Sequence, residues 1–234
     1  MTEQSSLNYI RSRYLGTGQE SHFGLGEELS ADKKEEIARM AVRADGIVHS
    51  TVRTITENMQ ELDRAKALIG QWIEQKEIVR VLGAGRALIA ASLAGNRLAH
   101  AGALVSFMGG TVPMPNSSFG GGIISASASG RTKTVLEAME VAKNKNPNIQ
   151  IIGIASAEAD DFHDMCDVFI GIYSRDIEVA NPLSALADVE ELIIAEILDA
   201  LIVMAGQSIG FDDEGWRRGH EDIGPTGPYA PKNT

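Results

Sequence analysis

Between residues 78 and 172 the chain repeats one arrangement. A short apolar run breaks at glycine or small polar residues, and a helix-length segment usually follows. The runs lie at 78–82, 103–108, 122–127, 149–155 and 168–172, and helical segments are predicted at 86–101, 132–145 and, briefly, 159–165. Strands joined through segments of this length pair in parallel, because the chain must cross back before the next strand begins. Runs such as IQIIGIA carry no polar alternation, which fits strands buried on both faces. The expected fold is therefore α/β, a three-layer, doubly wound, five-stranded parallel sheet.

The flanks complete this organisation. Residues 1–30 are polar, hold Gly16, Gly18, Gly24 and Gly26, and show no sustained period, so an irregular arm is expected there. From residue 31 to about 72, Ile37, Met40, Ala44, Ile47, Thr51, Ile55, Met59, Leu62 and Ile69 recur at helical spacing. This predicts a helical N-terminal segment with one apolar face, either one long helix or two with a bend near Gly46. A last helix is predicted over 184–206. The tail after it is rich in Gly, Pro and charge and is expected to be loosely ordered. One domain over 31–207, between an arm (1–30) and a tail (208–234), is the resulting division.

Charge and cysteine content exclude several classes. A formal charge of −11 argues against a nucleic-acid partner or an anionic membrane surface. The single cysteine, Cys166, allows neither a disulfide framework nor a cysteine-based zinc site and reads as a small buried apolar residue. No HxxxH or HExxH spacing occurs, so no metal site is expected. The segment LIIAEILDALIVMAG is too short and too charged to span a membrane, and MTEQSSLNYIRSRYLG lacks the apolar run of a signal peptide. The cytoplasm is the expected compartment.

In a doubly wound sheet, ligands bind outside the carboxyl ends of the strands, at the switch in strand order. Three stretches qualify: 83–87, 109–122 and 125–134. In SASASGRTKT (125–134), Ser127, Ser129 and Thr132 surround Gly130 where the third strand turns into a helix. Hydroxyls and the free amides of a first helical turn together cradle an anion, and phosphate is the usual guest. Arg131 and Lys133 add charge. After the first strand, Gly83-Ala84-Gly85 starts like a dinucleotide fingerprint, but the third glycine is replaced by Leu88 and the second strand ends without an acid. A glycine turn bringing backbone close to a sugar or phosphate is the alternative to a plain tight turn. Read locally, His100 is a helix C-terminal histidine, and Glu190 and Glu191 are acids suited to a helix N-terminus.

VLGAGRA (81–87), NRLAHAG (96–102), SASASGRTKTVLEA (125–138), IIGIASA (151–157) and DVEELIIAEILDALI (188–202) follow one another in an order and spacing that resembles the SIS (sugar isomerase) domain, a flavodoxin-like fold. Within it the similarity is closest to the 6-phospho-3-hexuloisomerase group, over about residues 35–222. The resemblance implies binding of a sugar phosphate without a cofactor, and assembly as a homodimer or homotetramer with sites near subunit boundaries. It implies that Ser127, Ser129, Gly130 and Thr132 hold the phosphate, with Gly83, Gly85 and Arg86 lining the site. Glu191 corresponds to the catalytic base, with Glu190 as its near rival, and His100 to a second catalytic group. The implied activity is isomerisation of 6-phospho-3-hexulose to fructose 6-phosphate through an enediol. Alternatives are an isomerase for another sugar phosphate or a non-catalytic phosphosugar sensor. The chain departs from the group at Ala87, where serine is usual, at Arg131, where glutamate is usual, and in TVPMPNSSFGGG (111–122).

Overall fold

The computed structural model describes residues 30–110, 116–174 and 188–220. In chain order the elements are α1 (Ala31–Glu57), α2 (Met59–Glu74), β1 (Ile78–Leu82), α3 (Gly85–His100), β2 (Leu104–Phe107), a 3-10 turn (Ser117–Phe119), β3 (Gly122–Ser127), α4 (Lys133–Lys145), β4 (Gln150–Ser156), α5 (Asp160–His163), β5 (Val168–Ile172), α6 (Asp188–Ser208) and α7 (Asp213–His220). Among the described residues the strands form one five-stranded parallel sheet in the order β2-β1-β3-β4-β5. The sheet is doubly wound, with a helical N-terminal segment, as the sequence predicts. Residues 1–29 of the expected arm lie outside the described residues, as do 184–187 of the predicted last helix and 221–234 of the tail.

Adjacent strand residues face opposite layers. Val79, Val81, Ile124 and Ile152 pack with Ile69 of α2, Ala91 and Leu98 of α3, and Ile194 and Leu198 of α6. Leu82, Ile123 and Ile151 pack with Val135 and Met139 of α4 and Phe162 of α5. Both faces are thus dry, as the unbroken apolar strands require. Arg80 is the exception within β1. It is buried, and its guanidinium donates to Gly120 O and Asn116 O, each at 2.8 Å, pinning the approach to β3. Burial pushes this guanidinium below its ordinary value, against the opposing pull of Glu77. Burial likewise pushes the Cys166 thiol up to about 12, with Asp167 adding to the rise and Lys143 opposing it. That cysteine packs with the α4 layer as an apolar residue.

Three expectations are corrected. The helical segment breaks at Asn58, not near Gly46, through which α1 runs intact. The cause is tertiary: buried Asn58 donates from Nδ2 to Gly171 O and accepts at Oδ1 from Gly171 N, both at 2.9 Å. The apolar stripe is only partly the face turned to this chain: Ile47, Leu62 and Ile69 pack on the core. Met40, Ile55 and Met59 are exposed, while Ala38, Ser50, Thr54 and Asn58 are buried. Small and polar residues let α1 lie close to β5 and bond its backbone, as Thr54 Oγ1 does in accepting from Tyr173 N at 3.2 Å. Finally, the tail is not irregular throughout. Residues 213–220 form α7, whose Trp216 stacks edge-on against Phe211 with ring centroids 5.2 Å apart. At Gly219 α7 meets the end of α3 so closely that a Cβ would fall 2.1 Å from His100 O.

Asn58→Ala leaves the buried N–H and C=O of Gly171 without these partners. The expected loss is about 3 kcal/mol, or roughly 6–12 °C in Tm for a chain of this size. Asn58→Asp is expected to cost at least as much at neutral pH, because its second oxygen faces the carbonyl oxygens of Thr54 and Gly171. Thermal unfolding followed by circular dichroism checks both, and an unchanged Tm for Asn58→Ala refutes the clasp.

Candidate functional site

β1 has β2 on one side and β3 on the other, so strand order switches between β1 and β3. Register fixes what meets there. Leu82 pairs with Ser125, which sets residues 83–85 level with 126–128 across the cleft. The two glycine-containing turns singled out in the sequence are therefore neighbours, and α3 and α4 both start at this edge.

The loop after β3 is held by its own hydroxyls. Ser127 Oγ lies 3.1 Å from Thr132 Oγ1 and accepts from Gly130 N at 3.1 Å. Ser129 Oγ accepts from Arg131 N at 3.3 Å. Thr132 occupies the N-cap of α4 but its side chain makes no cap bond, so the hydroxyl turns back to Ser127. Gly130 has φ +67°, and a Cβ there would sit 2.1 Å from Ala159 Cβ. Only glycine fits, and the fit presses the loop onto the start of α5. On the β1 side, a Cβ on Gly83 would lie 2.9 Å from Leu88 Cα, so the close approach of strand end and helix also needs glycine.

Charge enters from two helix N-termini. Arg86, at the start of α3, places Nε 2.8 Å from Glu191 Oε2, at the start of α6. The Glu191 side chain is only 15% exposed, while Arg86 keeps 56% of its side-chain surface exposed. Glu190 is buried; Ser174 Oγ donates to its Oε1, and its Oε2 has no hydrogen-bond partner. Among the described residues no group of three or more His, Cys, Asp or Glu side chains is placed to hold a metal ion.

The structure brings Gly83, Gly85, Arg86, Ser127, Ser129, Gly130, Thr132 and Glu191 to one edge of the sheet. It does not bring His100 there. His100 ends the 16-residue α3, a helix length of about 22 Å from Gly85. The departure at Ala87 is buried against the core. Ser156 and Ser174 were not singled out in the sequence. Ser156 closes an apolar strand with a hydroxyl, the signal that marks Ser127, and that pattern exposes it. Ser174 has no such local signal, since its partner is sixteen positions away on another element.

By sequence the chain matches no family model and no curated protein. By structure it matches many solved proteins. A hypothetical protein from Methanococcus jannaschii, whose structure was taken to infer 3-hexulose-6-phosphate isomerase function, is 22% identical with a TM-score of 0.60, over 81% of this chain and 99% of that one. A putative phosphosugar isomerase involved in capsule formation from Bacteroides fragilis is 18% identical with a TM-score of 0.60, over 78% and 98%. The NanR protein of Vibrio vulnificus, complexed with ManNAc-6P, is 15% identical with a TM-score of 0.52, over 94% and 78%. The chain has the fold these phosphosugar proteins share, which is the fold that its resemblance to the SIS domain implies.

Gly130→Ala must adopt a left-handed backbone and displace Ala159. The expected cost is about 2–4 kcal/mol, read as a lower Tm. Thr132→Val, which removes one hydroxyl from the cradle without a clash, is expected to leave Tm within about 2 °C. A Gly130→Ala variant as stable as the parent refutes the packing argument.

Proposed function

We propose that this chain is a SIS-family phosphosugar isomerase, with conversion of 6-phospho-3-hexulose to fructose 6-phosphate as the leading reaction. The observation that carries this reading is the Arg86–Glu191 pair at 2.8 Å, made where the turns after β1 and β3 meet. Amides and hydroxyls of Ser127, Ser129, Gly130 and Thr132 hold the phosphate at the start of α4. Gly83 and Gly85 let backbone approach the sugar. Anchoring the phosphate fixes the reacting carbons beside the base, which supplies much of the rate.

Glu191 takes the proton from the carbon next to the carbonyl. The electrons of that C–H bond form the C=C of a cis-enediol as the carbonyl oxygen gains a proton. Return of a proton to the neighbouring carbon, with loss of one from the other hydroxyl, leaves the carbonyl one position along. No electrons leave the substrate and no cofactor is needed. Arg86 orients the Glu191 carboxylate and links it to the anion site. His100, at the far end of α3, serves an active site only in a neighbouring copy, where it moves the proton between oxygens. The exposed apolar stripe of Val48, Val52 and Ile55 on α1, continued by Met59 at the start of α2, supports such an assembly. The composition fits action in the cytoplasm.

A second reading, a phosphosugar sensor, is favoured by Ala87, which offers no hydroxyl where the resembling group has serine. Fructose 6-phosphate in D2O separates the two. The isomerase is expected to bring deuterium onto the carbons beside the carbonyl, and Glu191→Gln to slow this by about 100-fold or more. Thermal stabilisation by the sugar phosphate without exchange points to the sensor. Full exchange in Glu191→Gln overturns the assignment of the base. Mixing His100→Ala with Glu191→Gln protomers is expected to restore part of the exchange that each lacks alone. No recovery refutes the shared site.

A further inference from the structure

α3 keeps its small residues inside and its large ones outside. Its buried positions are Ala87, Ala90, Ala91, Ala94, Gly95 and Leu98. Ile89 and Leu93, one turn apart, are 67% and 57% exposed. The apolar stripe of a surface helix normally faces the core, so a bulky pair on the outer face marks a second surface to be covered. Leu192 of the neighbouring α6, next in the chain to Glu191, is exposed as well.

Arg86, Leu93 and His100 follow one another at seven-residue steps. Seven residues fall about 20° short of two full turns, so the three form one stripe along α3. Arg86 and Leu93 are exposed and His100 is half-buried. Along the helix axis Arg86 and His100 lie about 10 Å to either side of Leu93.

We infer that α3 docks on α3 of a second copy of this chain, antiparallel, across a two-fold axis at Leu93. Such an axis exchanges the two ends of the stripe. Leu93 meets Leu93, and His100 of each copy comes level with Arg86 of the other. One self-complementary contact thus brings two imidazoles to two Arg86–Glu191 pairs. What His100 does there rests on the isomerase reading, and the α3 face is the surface that completes that site. A partner of any other kind covers Ile89 and Leu93 but leaves His100 about 20 Å along α3 from Arg86. The apolar stripe on α1 carries none of the site's residues, so it joins copies without completing a site.

The ends of the stripe are held in place within each chain. Arg86 is tied to Glu191, and α7 closes on the far end, where Gly219 leaves no room for a Cβ against His100 O. Arg97, between them, is bonded to Asp199 of α6, and its Cζ lies 5.8 Å from the centre of the Trp216 ring. A helix fixed along its length loses little freedom on docking.

Cysteine crosslinking tests the register without any substrate. The one native cysteine, Cys166, is partly buried with its thiol pushed up to about 12, so it stays protonated and unreactive at neutral pH. With a short bis-maleimide the parent is expected to stay uncrosslinked and Leu93→Cys to join two chains. Arg86→Cys and His100→Cys are each expected to stay single, since like positions lie about 20 Å apart across the pair, and to crosslink when co-expressed. By sedimentation, Leu93→Arg is expected to have half the parent's mass while still melting cooperatively. A parent that sediments as one chain, a Leu93→Cys variant that stays single, or a folded Leu93→Arg variant of parental mass overturns the contact. Crosslinking in the expected register without deuterium exchange on fructose 6-phosphate leaves the helix pair standing and overturns the isomerase reading alone. Exchange in a protein whose Leu93→Cys variant stays single overturns the helix pair alone.

Discussion

Parallel pairing is the constraint from which the rest of this molecule follows. When every strand runs the same way, every strand ends at one edge, and each helix that carries the chain back starts there. The sheet edge at Leu82, Ser127, Ser156 and Ile172 therefore collects the glycine turns, the free amides of α3 and α4, and the acids that open α6. The direction of winding then reverses between β1 and β3. α3 leaves to one face and α4 to the other, which is visible in their separate cores. The cleft opened by that divergence is where Arg86 reaches Glu191 and where the Ser127–Thr132 cradle faces residues 83–85.

Two close fits make this edge rigid. Gly130 lies against Ala159 so tightly that no side chain is tolerated, and Asn58 bonds both polar groups of Gly171. The first fixes the 127–132 loop to the segment after β4. The second fixes α1 to β5 and with it Arg53 above Tyr173. The proposed site, made of backbone amides, hydroxyls and one oriented carboxylate, works only if those groups hold position without a ligand, because reordering them is subtracted from binding and from rate. The half-paired Glu190 shows where the same edge keeps a group that packing alone does not account for.

Much of the sheet was legible residue by residue. The bounds expected for β1, β3 and β5 match those observed, since each is an apolar run closed by glycine or a polar turn. The loop 127–132 was legible for the same reason, as its chemistry is local. The first helix was not. Its apolar period marked one face, yet the residues that bond the end of β5 are Thr54 and Asn58, whose partners lie more than a hundred residues away. The break at Asn58 escaped for that reason too. α7 hid behind a composition rich in Gly and charge, and it folds where Trp216 and Gly219 find Phe211 and the end of α3.

The sequence by itself determined the class of fold and the phosphate-cradle candidate, because strand burial, helix period and cap chemistry depend on neighbours within a few residues. Tertiary structure decided which distant groups share a site. It joined Arg86 to Glu191, set Ser174 on Glu190, brought Arg53 to the ends of β4 and β5, and put His100 at the opposite end of α3. Those pairings depend on strand order and register, which act between segments far apart in the chain and leave no mark in local composition.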